Sequence, residues 1–370
     1  MPEKNLRIGI FTVPLESASV LPLSNLIEIL FSISDSFVVI TGNEGYNKFK
    51  KERRFKVYGI NYKIGNPFLR IVRGFCGQIK ASLIILKLPK KIDTWIFYEG
   101  EYAIIPVIIA SLLKKRVIIL LLGSTVFNLS LAQDPLVNIV RITSKINLKL
   151  ADNIIIYSPT LIEDWNLQQY AHKILIAREH FLDLNTFKII VSLSDRPYLI
   201  GYIGRLSEEK GVQNFVQALP ALLRDQKDLR VLVGGDGQLK ESIKASLQAE
   251  KLTGYMDFPG WISHDDLPYY LNQLRLLILP SYAEGLPNIM LEAMACGTPV
   301  LVTPVGAIPD FIRDSETGFI MKNNSPECIA ENIMRALNSP NLEKIASNGR
   351  RFVEENFTFE KTVERWNDIF

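Results

Sequence analysis

Short, continuous runs of β-branched and other apolar residues alternate along most of the chain with longer stretches whose apolar positions recur at helical spacing. In the first half, Arg7–Val13, Phe37–Thr41, Thr94–Tyr98, Arg116–Leu122 and Asn153–Tyr157 read as strands, and Leu21–Ile33, Leu69–Leu86, Tyr102–Leu113 and Leu136–Leu150 as helices. Strands that are apolar throughout, rather than at every second position, belong to a parallel sheet covered on both faces. The second half repeats the theme, with strands at Tyr198–Ile203, Arg230–Gly234, Met256–Phe258, Leu276–Leu279, Pro299–Thr303 and Gly318–Met321. Its helices read as Val212–Arg224, Gln238–Ala249, Leu267–Gln273, Pro287–Cys296, Ile308–Arg313 and Pro326–Leu337. Between the halves, Asp183–Pro197 carries the polar residues Asn185, Ser192, Ser194 and Asp195 and reads as a linker. The pattern predicts an α/β protein of two doubly wound, Rossmann-like domains whose parallel sheets face each other across a cleft, with ligands outside the carboxyl ends of the strands.

One predicted helix departs from the amphipathic norm. Ile289, Met290, Leu291, Ala293, Met294, Ala295 and Cys296 make Pro287–Cys296 apolar on every side, so it should be buried. Pro287 suits a helix start and Gly297 a helix end. Glu292 is the helix's only ionisable side chain, and a buried carboxylate requires a partner. Glu284 precedes the helix, close to the free amides that make a helix N-terminus an anion site. One acid beside an anion site and another a turn or two inside suit a phosphate flanked by polyols, which is the shape of a nucleotide sugar.

At 370 residues, with 48% apolar and 22% charged residues, the chain is a folded protein long enough for two domains. Cys76, Cys296 and Cys328 are scattered, which argues against a disulfide framework or structural zinc and for a reducing compartment. The apolar run Ile8–Val13 is too short for a signal peptide, and Lys114-Lys115-Arg116 split the longest hydrophobic region, Tyr102–Leu122, below membrane-spanning length. A cytoplasmic location follows, either free or at the cytoplasmic face of the membrane. Net charge is +3 but uneven. Residues 1–190 hold 24 Lys and Arg against 15 Asp and Glu (+9), and the remainder 18 against 24 (−6).

Two loops of the second half carry further chemistry. After strand Tyr198–Ile203 comes Gly204-Arg205-Leu206-Ser207-Glu208-Glu209-Lys210-Gly211, where Arg205 and Lys210 would clamp a diphosphate between two cations. A solvated loop, its charges cancelled by Glu208 and Glu209, is the alternative. Gly234-Gly235-Asp236-Gly237 follows another strand and would lie against a base or ribose, or form only a tight turn. Gly204-Arg205-Leu206 with Lys210-Gly211, together with Glu284-Gly285-Leu286-Pro287-Asn288, Glu292-Ala293-Met294-Ala295-Cys296-Gly297-Thr298-Pro299-Val300 and Thr317-Gly318-Phe319, make the second half resemble the retaining group-1 glycosyltransferases of the GT-B fold, family GT4. The resemblance implies that Arg205, Lys210 and Glu284 are catalytic, the two cations on the donor diphosphate and Glu284 on the transferred sugar. It implies that Glu292 holds the ribose hydroxyls, and that Gly285, Leu286, Pro287, Asn288 and Gly235 complete the donor site. It further implies an N-terminal acceptor domain of residues 1–185 completed by 357–370, and a donor domain of residues 186–356.

The expected activity is a metal-independent, retaining sugar transfer from a UDP- or GDP-linked donor to a hydroxyl of a glycan or lipid-linked acceptor. That chemistry serves polysaccharide, lipopolysaccharide or glycolipid biosynthesis and needs no cofactor, the nucleotide sugar being a substrate. No D-x-D motif is present, and Arg205 and Lys210 would take the role of a metal. The first half departs from the family pattern. Its first loop, Val13-Pro14-Leu15-Glu16-Ser17-Ala18-Ser19, lacks the usual glycines, and Leu122-Gly123-Ser124-Thr125 lacks the usual histidine. His180, in Arg178–Asp183, reads as a locally bonded linker residue. Glu99 and Glu101, after strand Thr94–Tyr98, would bind acceptor hydroxyls or form a solvated helix start.

These departures motivate a second reading, a catalytically degenerate nucleotide-sugar-binding protein. A nicotinamide dehydrogenase is a third, but the chain lacks a strand-linked G-x-G-x-x-G. Residues 48–91 hold thirteen Lys and Arg against Glu52 alone, with Arg70, Arg73, Lys80 and Lys87 on a helical stripe beside Phe68, Leu69, Ile71, Val72, Phe75 and Ile79. The stripe predicts peripheral contact with an anionic membrane, or an ordinary helix packed on the sheet with its cations in water. Nucleic acid is not expected, because no recognition module accompanies the charge.

Overall fold

The structure is a computed structural model and describes residues 6–15, 19–60, 67–88, 91–131, 133–197, 199–226 and 228–370. Side chains of 67–71, 128, 131 and 225 are outside the described set. The predicted roles of Phe68, Leu69, Arg70 and Ile71, of Glu16–Ala18 in the first loop and of Tyr198 therefore fall outside the described residues. The chain divides into two compact units, Met1–Phe181 with Phe359–Phe370, and Leu182–Thr358.

The first unit contains strands β1 (Arg7–Leu15), β2 (Ser36–Gly42), β3 (Lys56–Gly59), β4 (Thr94–Tyr98), β5 (Arg116–Leu120), β6 (Asn153–Ile156) and β7 (Ile174–Ile176). They form one parallel sheet in the order β3-β2-β1-β4-β5-β6-β7. Its helices are α1 (Val20–Ile33), α2 (Asn43–Phe49), α3 (Pro67–Lys87), α4 (Ile104–Leu112), α5 (Thr125–Leu131), α6 (Val137–Leu150) and α7 (Leu161–Asp164). Every residue of β4 is buried, as a strand covered on both faces must be.

The second unit contains β8 (Leu199–Ile203), β9 (Arg230–Gly234), β10 (Met256–Gly260), β11 (Leu276–Leu279), β12 (Val300–Val302) and β13 (Phe319–Ile320), ordered β10-β9-β8-β11-β12-β13 and again parallel. Its helices are α8 (Val212–Asp225), α9 (Lys240–Ala249), α10 (Leu267–Leu271), α11 (Asn288–Ala295), α12 (Pro326–Leu337) and α13 (Leu342–Asn356). The segment predicted as α-helical at Ile308–Arg313 forms only a 3-10 turn, Ile308–Asp310, with proline at its second position. Helix α11 begins one residue later than expected, because Pro287 keeps an extended ψ of 119° and serves as the preceding cap residue.

Segment 183–197 holds one 3-10 turn, Leu193–Asp195, and no α-helix or strand, but it is no free tether. Ile190 N and Val191 N donate to Asn272 Oδ1 at 2.7 and 3.3 Å. The buried Arg196 guanidinium donates to the Val191, Leu274 and Cys296 carbonyls and to Thr298 Oγ1. A buried guanidinium with its donors satisfied by carbonyls is tolerable without an acid, although burial lowers its pKa to about 10. Helix α14 (Phe359–Asn367) belongs to the first unit. There the buried Trp366 and Thr362 side chains donate to the Arg178 and His180 carbonyls at 3.0 Å each.

In each sheet the strand order reverses beside the unit's first strand, between β1 and β4 and between β8 and β11. Such a switch point splays the following loops apart at the carboxyl ends of the strands, leaving room for a ligand.

Candidate functional site

Both loops flanking the β8/β11 switch point are fixed by backbone ties. After β8, Gly204 N donates to Gly234 O at 3.0 Å, Leu206 N to Asp236 O at 2.9 Å, and the Tyr202 hydroxyl to Arg205 O at 2.6 Å. The 234–237 loop thus lies directly on the 204–206 loop. Gly235 is required there: at φ +132° a Cβ would stand 1.8 Å from Gly204 O. The Arg205 backbone is held while its side chain remains 51% exposed, with only a 3.7 Å approach to Glu209. A 3-10 turn, Glu208–Lys210, then carries Lys210 toward β11. Gly211 follows at φ +65°, and a Cβ there would fall 2.0 Å from Pro280 O, so only glycine allows the turn to seat against the second loop.

The loop after β11 is tied to three neighbours. Tyr282 N donates to Glu209 O at 2.8 Å, Thr303 Oγ1 to Ser281 O at 2.6 Å, and Ala307 N to Gly285 O at 2.9 Å. This frame aims Glu284 at Lys210, whose Nζ donates to both carboxylate oxygens at 2.8 Å. Ser281 Oγ adds a third bond to Glu284 Oε1 at 2.7 Å. The Glu284 side chain is 7% exposed and that of Lys210 27%, so the pair is largely shielded from water. Leu286 and Pro287 are buried behind it, Gly285 and Asn288 are half-buried, and α11 starts at Asn288.

Glu292 lies on the second turn of α11, among the buried Met290, Leu291, Ala293, Met294 and Ala295. Its required partner is His264, which the sequence reading had left out of the site. His264 Nε2 stands 2.9 Å from Glu292 Oε1, and this hydrogen bond raises the imidazole pKa. His264 belongs to the loop after β10, packs on the buried Phe187 ring at 5.2 Å, and keeps about half of its side chain in solvent. The signal available was its position, four residues beyond the end of β10, in the same half of the sequence as a helix whose one ionisable residue requires a partner.

The structure therefore brings Lys210, Glu284 and Ser281 together, stacks Gly235 under the Arg205 loop, and pairs Glu292 with His264. It does not pair Arg205 with Lys210 through any shared partner among the described residues. Among the described residues, no three His, Cys, Asp or Glu side chains form a group able to hold a metal ion.

The acceptor-side acids lie in the first unit. Glu99 follows β4 in the left-handed region at φ +51° and is half-buried. Glu101 is buried, not part of a solvated turn: its carboxylate accepts from Thr125 N at 3.3 Å and faces the Ser144 hydroxyl at 3.5 Å, and burial raises its pKa. His180 is buried too, edge-on to Tyr157 at 4.9 Å. The Tyr157 hydroxyl donates to Glu179 Oε1 at 2.5 Å, and full burial pushes the Glu179 carboxyl up to about 7.

Residues 185–352 match the family model for glycosyl transferases of group 1. Over 176 residues the chain is 32% identical to the capsular polysaccharide biosynthesis glycosyltransferase CapM of Staphylococcus aureus, covering 47% of this chain and 46% of CapM. Over 157 residues it is 30% identical to the α-D-kanosaminyltransferase of Streptomyces kanamyceticus, covering 42% and 40%. The chain spans less than half the length of the curated relatives it matches. In three dimensions it is similar to Anabaena HepE in complex with UDP and glucose, with a TM-score of 0.77, 17% identity and coverage of 98% and 99%. It is similar also to the sucrose-phosphate synthase of Thermosynechococcus elongatus, with a TM-score of 0.75, 18% identity and coverage of 98% of each chain. At such identities these likenesses show the fold, which is GT-B. The likeness to the group-1 glycosyl transferases in sequence thus lies within residues 185–352, in the second unit.

Proposed function

We propose that the protein is a retaining, metal-independent glycosyltransferase of the GT4 kind, moving a sugar from a UDP- or GDP-linked donor to a hydroxyl of a glycan or lipid-linked acceptor. The observation that carries this reading is the Lys210–Glu284 pair beside the β8/β11 switch point, inside the residues the family model matches. An ammonium has three donors, and two of them rest on Glu284, which leaves one for a donor phosphate. Arg205, held by its backbone and exposed at its head, supplies the second cation. Glu284 accepts from the transferred sugar, and Glu292, braced by His264, accepts from the ribose. Gly285, Leu286, Pro287 and Asn288 shape the wall at the start of α11, and Gly235 the floor.

Transfer breaks the bond from the anomeric carbon to the diphosphate oxygen and forms one to the acceptor oxygen. The acceptor's proton passes to the departing diphosphate, whose charge the two cations stabilise. We assign Glu99, half-buried at the carboxyl end of β4, to an acceptor hydroxyl. Glu101 is spent bracing α5 and α6.

The cytoplasmic face of a membrane is the proposed place of action, in assembly of a polysaccharide, lipopolysaccharide or glycolipid. Support comes from α3, which buries Ala81, Ser82 and Ile85 and leaves Val72, Phe75, Ile79, Leu83 and Leu86 between 44% and 53% exposed. These five recur at helical spacing and so form one stripe, with Arg73, Lys80 and Lys87 each next in sequence to a member. A basic-edged apolar stripe suits an anionic bilayer surface. No described helix is long and apolar enough to cross a membrane.

The test is nucleotide release from UDP-, GDP- and ADP-sugars with glycan and alkyl-glycoside acceptors, HepE's complex with UDP-glucose making UDP-glucose the first donor to try. Donor-dependent release stimulated by acceptor supports the reading. Nucleotide binding without release from any pair would leave a binding protein instead. Flotation with phosphatidylglycerol vesicles, set against phosphatidylcholine alone, tests the membrane assignment.

A further inference from the structure

The first unit contains a cavity of about 270 Å³ at its own switch point. Val13, Phe75, Leu129, Leu136, Ile139 and Val140 supply most of its wall, from the end of β1 and from α3, α5 and α6 with the turn before it. Three of the polar side chains lining it, Gln78, Thr125 and Thr143, are hydrogen-bonded within the protein. Gln78 donates to Tyr102 O at 2.9 Å and accepts from Ile105 N at 3.1 Å. Thr143 donates to Val140 O at 3.2 Å, and the Thr125 hydroxyl and amide both serve Glu101. Pro14, also in the wall, has no amide hydrogen to offer. A phosphate or sugar placed here would lose hydration and gain few partners, whereas hydrocarbon would lose nothing.

The cavity also has surroundings that match one occupant. Phe75 and Ile139, two of its wall residues, are 45% and 44% exposed. Each belongs to an exposed apolar stripe, the one on α3 described above and Ile139, Ile142 and Ile146 on α6. The α6 stripe, like that of α3, has cations beside it, Arg141 and Lys145 being adjacent in sequence to Ile142 and Ile146. Apolar residues on both helices, edged by cations, complement a molecule with a hydrocarbon tail and an anionic neighbourhood.

We infer that this cavity seats the hydrocarbon chain of the acceptor, so that the acceptor is a lipid-linked molecule rather than a free glycan. The identity of the chain's owner as an acceptor rests on the sugar-transfer reading; the binding of hydrocarbon does not. The volume is below that of a pocket for a whole drug-sized ligand, roughly 300 Å³ upward, and fits a short length of chain.

The test is calorimetric titration of the full chain with n-alkyl β-glucosides of rising chain length, below their micellar concentrations. Affinity is expected to rise about fourfold per methylene until the cavity is full, and then to level off. Ile139→Trp, at a half-exposed position that tolerates bulk, should fill the mouth and flatten this dependence at least tenfold at the longest chain. Leu129→Phe enlarges a second wall residue and serves as the second variant should the first misfold. Both should leave UDP affinity unchanged. Affinity that does not depend on chain length, or that neither folded variant alters, would overturn the inference. Chain-length-dependent binding in a protein that releases no nucleotide from any donor would instead overturn the transferase reading and leave the hydrocarbon site standing.

Discussion

Lys210→Met separates what the Lys210–Glu284 pair does for stability from what it does for chemistry. The substitution keeps the aliphatic stem and removes the ammonium, stranding a Glu284 carboxylate that is only 7% exposed. Removing one member of a fully buried pair costs about 3–5 kcal/mol. Here Lys210 retains contact with water, and Ser281 still donates to Glu284, so about 2 kcal/mol is expected. For a unit running from Leu182 to Thr358, that corresponds to a thermal midpoint lowered by roughly 4–8 °C. Turnover should fall about 100- to 1000-fold, the scale of losing one preorganised charge donor to a departing anion. Adding Glu284→Gln removes the stranded charge and should restore most of the stability, since a neutral amide can share the Ser281 hydroxyl. It should restore none of the turnover. Differential scanning calorimetry and nucleotide release on wild type, both single variants and the double variant close the cycle. A double variant that regains turnover along with stability would refute the functional assignment, because the pair would then be only a brace.

Four further outcomes follow from the same geometry. Arg205→Ala, at a half-exposed side chain with one long ion contact, should change stability by less than about 0.5 kcal/mol while lowering kcat/KM on the order of 100-fold, as read by thermal melts and initial rates. Gly211→Ala puts a Cβ 2.0 Å from Pro280 O at a left-handed φ, so urea unfolding should show a loss of at least about 2 kcal/mol. His264 is stabilised as imidazolium by Glu292, so its contribution to stability is complete below pH 6.5 and declines as pH rises through its raised value; His264→Gln should remove that decline in pH-dependent melts. Glu179, raised to about 7 by burial, holds its proton longer in the folded chain than the ordinary 4.5 of the unfolded one, so stability should fall between pH 4.5 and 7 by a few kcal/mol at about 1.4 per unit; Glu179→Gln should flatten that limb of a urea–pH series.

The central strands were legible because they are buried on both faces, so apolar runs such as Thr94–Tyr98 and Leu276–Leu279 coincide with β4 and β11. Strand β3 escaped because Lys56-Val57-Tyr58-Gly59 sits at a sheet edge and carries a charge, and β7 because it is three residues long and partly exposed. Glu292 announced a partner through the apolarity of its helix, but His264 lies 28 residues earlier and only the packing of β10's loop against α11 names it. Lys210 and Glu284 stand 74 residues apart, and no local pattern encodes their meeting. Helix α3 shows the opposite limit. An amphipathic spacing reveals an apolar stripe but not which way it turns, and here Gly77, Ala81, Ser82 and Ile85 lie inward while Val72, Phe75, Ile79, Leu83 and Leu86 face out.

The two units use equivalent places in similar sheets for opposite chemistry. Beside the switch point of the second unit, the loop after β8 ends in Gly211, carries two cations, and meets a carboxylate from the loop after β11. Beside the switch point of the first, Val13 and Pro14 stand near the end of β1, and the turn after β4 delivers Tyr102 to an apolar cavity. An amide cradle for phosphate requires free N–H groups that can approach closely, and a valine followed by a proline provides neither the space nor the second donor. The glycines absent from the first loop are therefore not simply a damaged phosphate grip. At the same position the chain builds a wall for hydrocarbon, so the departure from the family pattern and the apolar cavity have one physical cause.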